Sequence, residues 1–207
     1  GASPMHLIDL PYAFHIDETE TTNSQFVEFL NGLNIDEDTQ STGCNGEHCF
    51  DDVMNTAISF KPTLAEETVG TWAHLEGVGE HPAVRVTWAG AAAYCESLSR
   101  RLCTDAEWEF AARGIQGWEF PWGEVSPNCN NHFASLSECP GWPEPVGSHP
   151  TGVSPFGVQD MVGSANEYTE NFYYSDYYCH GPESVCDGLL PTECGVDCLG
   201  KAPYQEL

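Results

Sequence analysis

Residues 101–114 read R-L-C-T-D-A-E-W-E-F-A-A-R-G. This pattern is typical of the start of a helix. Thr104 and Glu107 have the spacing of a capping box, in which each side chain accepts a hydrogen bond from a backbone N–H of the first turn. Apolar side chains follow in the W-E-F-A segment, and regular periodicity fades from Gly114 onward. We therefore predict a helix that begins just after Thr104.

Two further helices are predicted upstream from their caps and from the spacing of apolar residues. Thr22 or Asn23 caps the first helix. Its core-facing side consists of Phe26, Phe29, Leu30 and Leu33. Thr87 begins the second helix. The residues predicted on one face of it are Trp88, Ala91, Ala92, Cys95 and Leu98.

Regular strands are harder to recognise in this chain. Residues 12–16 (Y-A-F-H-I) alternate like an edge strand, and residues 81–86 (H-P-A-V-R-V) resemble a short buried strand. Residues 36–52 form an acidic, glycine-containing loop, and residues 53–80 receive no assignment. Beyond residue 114, glycine, proline, asparagine and tryptophan dominate, which predicts a half made mostly of loops. We find neither an internal repeat nor a linker, and so predict one domain.

The charge balance of the chain excludes whole classes of partner. Lys and Arg together number 6 against 32 Asp and Glu, for a formal net charge of −26. Such a surface repels phosphate backbones and anionic membranes, so we expect no nucleic-acid binding. No apolar run approaches the length of a membrane span. The balance suits multivalent cations or a basic protein partner.

Ten cysteines are many for a chain of 207 residues. Most fall in neighbouring pairs within polar loops, namely Cys44 and Cys49, Cys129 and Cys139, Cys179 and Cys186, and Cys194 and Cys198. Such spacing favours local disulfides and an oxidising, extracellular or cell-surface location. The rival interpretation is zinc, because a histidine adjoins Cys49 and another adjoins Cys179. Against it, the chain contains no C-x-x-C pair.

Several segments occur in a characteristic order. They read H-P-A-V-R-V-T-W-A-G-A-A-A-Y-C at 81–95, R-L-C-T-D-A-E-W-E-F-A-A-R-G at 101–114, F-P-W-G at 120–123 and S-P-F-G-V-Q-D-M-V-G-S-A-N-E-Y at 154–168. Together with D-E-T-E-T-T-N at 17–23, they resemble the formylglycine-generating enzyme, or sulfatase-modifying factor, family. The resemblance covers roughly residues 12–178.

The resemblance implies an α+β fold, a variant of the C-type lectin fold with two main helices around a small twisted antiparallel sheet, rich in loops and disulfides. We expect one domain over residues 1–207, with a Cys-rich acidic tail at 179–207. The family's last core strands, and the cysteine pair that binds copper(I) there, have no counterpart by motif. We therefore expect a cleaved C-terminal fragment or a neighbouring subunit, as in a homo-oligomer, to complete the sheet.

Residues 160–173 (D-M-V-G-S-A-N-E-Y-T-E-N-F-Y) mix acidic and amide side chains with small and aromatic ones. By composition they suit a solvated acidic turn, a metal loop or an acid/base cluster. The resemblance implies the metal loop, with calcium ligands from Asp160, Gly163, Ala165 and Glu167. Calcium mixes carboxylates with backbone carbonyls, which an irregular loop supplies. No nucleophile lies nearby in sequence to support an acid/base role.

The resemblance also implies a second calcium site. By position its ligands would be Asn131, His132, Glu138 and Pro140. Cys129 and Cys139 flank this loop, and a disulfide between them would close it.

Cys95 lies where the family often has a structural cysteine tied to the C-terminal region. Cys103 replaces a family proline eight residues further on. We predict a Cys95–Cys103 disulfide in place of the family's bond; a free buried thiol is the alternative.

Three functions follow from these observations. The first is a non-catalytic, calcium-stabilised, extracellular module for binding or assembly. The second is a copper-dependent formylglycine-generating oxidase whose cysteine pair lies on a missing or cleaved C-terminal part. The third is an iron-dependent relative, which would need a three-histidine motif that the chain lacks. Fold analogy alone does not separate the three, because function resides in sites. We favour the first, because the catalytic cysteine pair has no counterpart, the disulfide content is high and the chain is strongly acidic.

Overall fold

The computed structural model describes residues 10–36, 42–51, 57–61, 70–141 and 143–171. Their regular elements are, in order, α1 (Asn23–Gly32), β1 (Ile58–Lys61), β2 (Thr71–His74), α2 (Trp88–Ser97) and α3 (Asp105–Arg113). Turns and loops make up residues 114–141 and 143–171. The described part of the chain is a small mixed α/β structure with three helices where the resemblance implied two, and the lectin-like arrangement stays a prediction.

Helix α1 begins at the predicted cap. Thr22 Oγ1 accepts a hydrogen bond from Gln25 N at 3.2 Å, and Gln25 Oε1 accepts one from Thr22 N at 2.8 Å. This reciprocal pair satisfies two N–H groups that the first turn leaves without partners. Three of the four residues predicted on the core-facing side are buried, and the fourth, Leu33, is exposed. The prediction for this helix is confirmed.

Strands β1 and β2 lie in the stretch that received no assignment. They pair antiparallel, with Phe60 opposite Trp72. Asn31 ties this sheet to α1, because its Oδ1 accepts from Trp72 N at 2.8 Å and its Nδ2 donates to Trp72 O at 3.1 Å. Each strand has only four residues. Runs this short give too few alternations to be recognised by pattern.

The two predicted strands do not form as such. Phe14 and Ile16 pack against a small core that contains Val158 and Met161. Residues 12–16 nevertheless have no ladder partner in the described part of the chain. Residues 81–86 make only isolated bridges at their ends. Pro82 pairs with Thr22 and Val86 with Phe50. Between them Arg85 has a φ of 60°, which breaks the extended run.

Helix α2 begins at Thr87, as predicted, but it buries a different face. The buried residues are Ala89, Gly90 and Ala92, whereas Trp88 and Leu98 are exposed. A Cβ placed on Gly90 would lie 1.9 Å from the Cys49 carbonyl oxygen. The helix therefore rests its smallest residues directly on the backbone of the neighbouring loop. The predicted face is right at Ala92 but wrong at Trp88 and Leu98, because it weighted large apolar side chains over close backbone packing.

Helix α3 has the predicted capping box at Thr104 and Glu107. Glu107 is buried, and both its oxygens accept hydrogen bonds of 2.7 Å from Arg101. This fork lowers the pKa of Glu107 to about 2, because the adjacent guanidinium and hydrogen bonds stabilise its charged form. On its inner side α3 contributes to a second, smaller core with Val158 and Met161.

Two predicted disulfides are confirmed and one is wrong. Cys44–Cys49 and Cys129–Cys139 are bonded, whereas Cys95 and Cys103 are both free. The two free thiols face different neighbours: Cys95 lies in the field of Asp17 and Arg100, and Cys103 in that of Glu167 and Glu107. The pairs at 179/186 and 194/198 lie outside the described residues. No helix within the described ranges is long and apolar enough to cross a membrane.

Candidate metal centre

The backbone of residues 160–167, here called the 160–167 loop, coils tightly. Asp160, Gly163 and Ser164 all have positive φ values, of 58°, 81° and 52°. A Cβ on Gly163 would lie 2.3 Å from the Ser135 carbonyl oxygen. Ser164 N donates to that same oxygen at 2.7 Å. Glycine is thus required at position 163 both by conformation and by space.

Two of the predicted ligands carry carboxylates, and each has one oxygen engaged by the protein. Asp160 is buried, and its Oδ2 accepts from Gly147 N at 2.5 Å. Glu167 Oε2 accepts from the indole Nε1 of Trp108. These bonds leave the other oxygen of each carboxylate for a cation. Glu167 is exposed as a residue, yet desolvation of its carboxylate raises its pKa. The hydrogen bond from Trp108 opposes this shift, and the charge of Asp160 adds to it.

A third carboxylate, Glu20, lies against this loop. It is only 9% exposed, its Oε1 accepts from Ala165 N at 3.1 Å, and its Oε2 has no hydrogen-bond partner of normal geometry in the described residues. Burial raises the pKa of Glu20 to about 7. The Ser164 side chain and Ala165 N–H oppose this shift, and the charges of Asp160 and Glu167 add to it. The shift therefore comes chiefly from burial, and the two neighbouring carboxylates add to it.

The segment that carries Glu20 runs beside the loop. Gln159 N donates to Glu18 O at 2.7 Å, and its side-chain amide donates to Glu18 Oε1 at 2.9 Å. Glu20 and Ala165 are 145 positions apart in sequence. Sequence reasoning missed Glu20, since it stands in an acidic run before α1 and no local signal distinguishes it from its exposed neighbours.

The residues of the 160–167 loop fit a calcium ion. In the described part of the chain, no hydrogen bond reaches the carbonyl oxygen of Gly163 or Ala165. No group of three His, Cys, Asp or Glu side chains there is arranged to hold a metal ion. A cation would thus need backbone carbonyls beside Asp160 and Glu167. Calcium accepts such a mixed set of about six to eight oxygens, whereas zinc and copper(I) prefer nitrogen and sulfur.

Two of the residues predicted for the second site, Asn131 and His132, are engaged by protein groups. Asn131 Oδ1 accepts from Asn128 N at 3.1 Å, and its Nδ2 donates to Ser126 O at 3.0 Å. Glu138 and Pro140 are both exposed. The Cys129–Cys139 disulfide closes this segment, here called the 129–140 loop. Calcium there stays a prediction, and we derive nothing through it.

The carbonyl of His132, predicted to face the second cation, is engaged by two protein donors. His149 Nδ1 and Thr151 Oγ1 each lie 3.0 Å from this oxygen. His149 is buried, and its Nε2 lies 2.7 Å from Glu144 Oε2. The hydrogen bond with His149 lowers the pKa of Glu144. The side chains of His149 and Thr151 therefore supply two donors to the His132 carbonyl.

Comparison with known proteins agrees with the motifs. A family model described as the sulfatase-modifying factor enzyme 1-like domain matches residues 1–199. The chain belongs to this family. The match covers all the described elements, including the 160–167 loop, and it confirms the resemblance seen in the sequence.

The relatives carry different names. The chain is 31% identical to the serine/threonine-protein kinase pkn1 of Chlamydia caviae, over 90% of this chain and 28% of the kinase. It is 29% identical to the formylglycine-generating enzyme of Bos taurus, over 84% of this chain and 52% of the enzyme. It is 28% identical to the hercynine oxygenase of Mycolicibacterium smegmatis, over 81% of this chain and 39% of that protein. The chain thus spans about a quarter to a half of these relatives.

Proposed function

We propose that this sulfatase-modifying factor domain is a non-catalytic, calcium-stabilised module for binding or assembly in an oxidising, extracellular location. The 160–167 loop is the observation that carries the proposal. Asp160 and Glu167 would bind calcium through their remaining carboxylate oxygens, and Gly163 and Ala165 through their carbonyls. Bound calcium supplies positive charge among these acidic groups. The two disulfides support the oxidising location.

A groove beside α3 supports the binding role. It has a volume of about 630 Å³ and is lined by the segment at residues 12–16, by Phe110 and by residues 156–158. Tyr12 and Phe156 are about half exposed there, at 49% and 52%. Exposed aromatic side chains are common where proteins bind partners. Given the net charge of −26, the expected partner carries basic side chains.

The alternative is a copper-dependent oxidase, favoured by relatives named formylglycine-generating enzyme. Copper(I) binds thiolates, so the protonation of the free cysteines matters. Burial raises the pKa of Cys95, and it raises that of Cys103 to about 12. The raised pKa values disfavour the thiolate form that copper(I) binds at these two cysteines. The cysteines at positions 179, 186, 194 and 198 lie outside the described residues.

The calcium proposal is tested by calorimetric titration and thermal unfolding of the chain, in EDTA and in Ca²⁺. At about 100 times Kd, we expect calcium to raise Tm by about 5–10 °C. The double variant D160N/E167Q should lose most of this shift. The matched control is E28Q, which removes an exposed carboxylate of α1 and should keep the shift. Equal Tm values for the wild-type chain with and without calcium would contradict the proposal.

A separate assay addresses the alternative. Copper-loaded chain is incubated with a cysteine-containing sulfatase peptide, and formylglycine is measured by mass spectrometry. We expect no product from this chain alone. Product formation would contradict the non-catalytic assignment.

A further inference from the structure

The groove beside α3, here called the α3 groove, is lined by a cluster of aromatic rings. The centroids of Phe110 and Phe156 lie 5.1 Å apart, and those of Phe14 and Phe110 lie 6.4 Å apart in an edge-to-face pair. Phe156 is 52% exposed, and Tyr12, which also lines the groove, is 49% exposed. A ligand can therefore reach these rings, and the negative potential over an aromatic face attracts cations.

The segment at residues 12–16 brings backbone groups to the same groove. Phe14 and Ile16 pack against the small core, whereas Ala13 and His15 are exposed, which is the alternation of a strand. In the described part of the chain, no hydrogen bond reaches the backbone N–H or C=O of residues 13–16. An extended segment of another molecule can bond to such groups as an added strand does.

The charge in and around the α3 groove favours an incoming cation. Among the described residues that line it, Glu18 supplies a carboxylate and none is lysine or arginine. The arginines close to or within α3 are engaged, since Arg101 pairs with Glu107 and Arg113 with Glu109. The whole chain carries a formal net charge of −26. A basic ligand would thus meet attraction from the chain and no repulsion from the lining.

We propose that the α3 groove binds an extended basic segment of a protein partner. Its arginine or lysine side chains lie on the aromatic rings, and its backbone bonds to residues 13–16. The inference rests on the proposed binding function and gives the chemistry of the partner. It does not depend on calcium, because none of the four ligands predicted in the 160–167 loop is among the described residues that line the groove.

The probe is a synthetic peptide of alternating valine and arginine with blocked ends. A length of about seven residues is enough to follow residues 12–16 at the rise of a strand. A second peptide replaces arginine with citrulline, its neutral isostere, and a third replaces it with glutamate. We expect the arginine peptide to bind, the citrulline peptide to bind about tenfold more weakly, and the glutamate peptide not to bind.

Binding to the whole chain is measured by calorimetry, both in EDTA and in Ca²⁺. The ionic strength is about 0.15 M, because at low salt a chain of this charge attracts any basic peptide. Two further peptides test the backbone contacts, one N-methylated at every valine and the other at every arginine. Only one of these two sets of N–H groups can face residues 13–16, so one of the two peptides should lose binding.

Substitutions of Phe156 distinguish the groove from general attraction between charges, because this side chain is neutral. F156A should weaken binding of the arginine peptide about tenfold, as truncation of an aromatic anchor commonly does. F156L keeps apolar bulk without a ring and should also bind more weakly than the wild-type chain. The matched control L75A truncates a side chain that is likewise 52% exposed but does not line the groove, and it should keep the affinity. Thermal unfolding checks that each variant is folded.

Three results would overturn the inference. Equal binding of the arginine peptide to the wild-type chain and to F156A would mean that only the net charge attracts it. Equal binding of the citrulline peptide would remove the cation from the argument. Self-association of the wild-type chain in sedimentation experiments, lost in F156A, would assign the groove to a second copy of this chain.

The two readouts also separate this inference from the proposed calcium site. If calcium raises Tm but the arginine peptide does not bind, the inference fails and the calcium-stabilised module stands. If the peptide binds in EDTA and calcium leaves Tm unchanged, the inference is supported and the calcium site fails.

Discussion

The 160–167 loop and the 129–140 loop were both predicted to bind calcium, yet the fold treats them differently. In the 129–140 loop, a disulfide joins the ends, and protein donors engage the Asn131 amide and the His132 carbonyl. In the 160–167 loop, carbonyls and carboxylate oxygens remain available. Glu20 adds a buried oxygen with no partner there.

The difference shows how an irregular loop can be stabilised by two means. A covalent link lowers the entropy of the unfolded chain and works without an ion. A loop in which several acceptor oxygens lie close together needs a bound cation to offset their negative charge. Its stability therefore depends on the concentration of that cation in solution. The same fold thus contains one loop closed by a disulfide and one loop with acceptor oxygens that have no protein partner in the described residues.

The largest expected effect comes from opening the closed loop. C129S/C139S should lower the free energy of unfolding by about 3 kcal/mol, because the unfolded chain regains the freedom of the ring. Urea unfolding is measured with Ca²⁺ and with EDTA. The loss should be the same in both, because the disulfide acts on the unfolded chain and needs no ion. Recovery of the lost stability on adding calcium would show that this loop binds an ion after all.

The next effect concerns the internal contacts of the same loop. H149A should cost about 2 kcal/mol, because it removes a donor to the His132 carbonyl and leaves buried acceptors with fewer partners. H132N is the matched control: the fold uses the carbonyl of this exposed residue, and asparagine tolerates its φ of 53°. We expect the control to change stability little. Equal losses for the two variants would rule out the proposed role of His149.

The smallest effect is a pH dependence of the free energy of unfolding that comes from Glu107. This residue lies in the first turn of α3, next to Trp108, whose indole contacts Glu167 of the 160–167 loop. The pKa of Glu107 is lowered from 4.5 to about 2. Its contribution is therefore complete above pH 4.5 and is lost as pH falls toward 2. E107Q should cost about 1 kcal/mol at pH 7, since glutamine keeps one acceptor oxygen but loses the second oxygen and the charge. The difference from wild type should vanish near pH 2.

Urea unfolding at several pH values checks this prediction. Other carboxylates also titrate, but they do so in both proteins, so the difference between wild type and E107Q isolates one group. A difference that stays constant from pH 7 to pH 2 would mean that the Arg101 contact does not depend on charge. The variant should bind calcium as the wild-type chain does, because Glu107 is paired with Arg101 and not with the loop.

Local features were predicted well from the sequence. The caps at Thr22, Thr87 and Thr104 were correct because each side chain bonds to a residue three positions away. The confirmed disulfides join cysteines 5 and 10 positions apart. Errors arose where packing decides. The Cys95–Cys103 bond was wrong because the two thiols face different neighbours. The buried face of α2 was wrong because Gly90 allows close contact with the Cys49 backbone.

The sequence by itself determined where the helices begin, which family the chain resembles and which loop is acidic. These depend on contacts across a few residues or on ordered motifs. Only the tertiary structure decided which acceptors stay free, because that depends on donors brought in by distant segments. His149 closes the 129–140 loop from outside it, and Glu20 reaches Ala165 across 145 positions. Burial and charge repulsion come from this packing, and no local pattern encodes them.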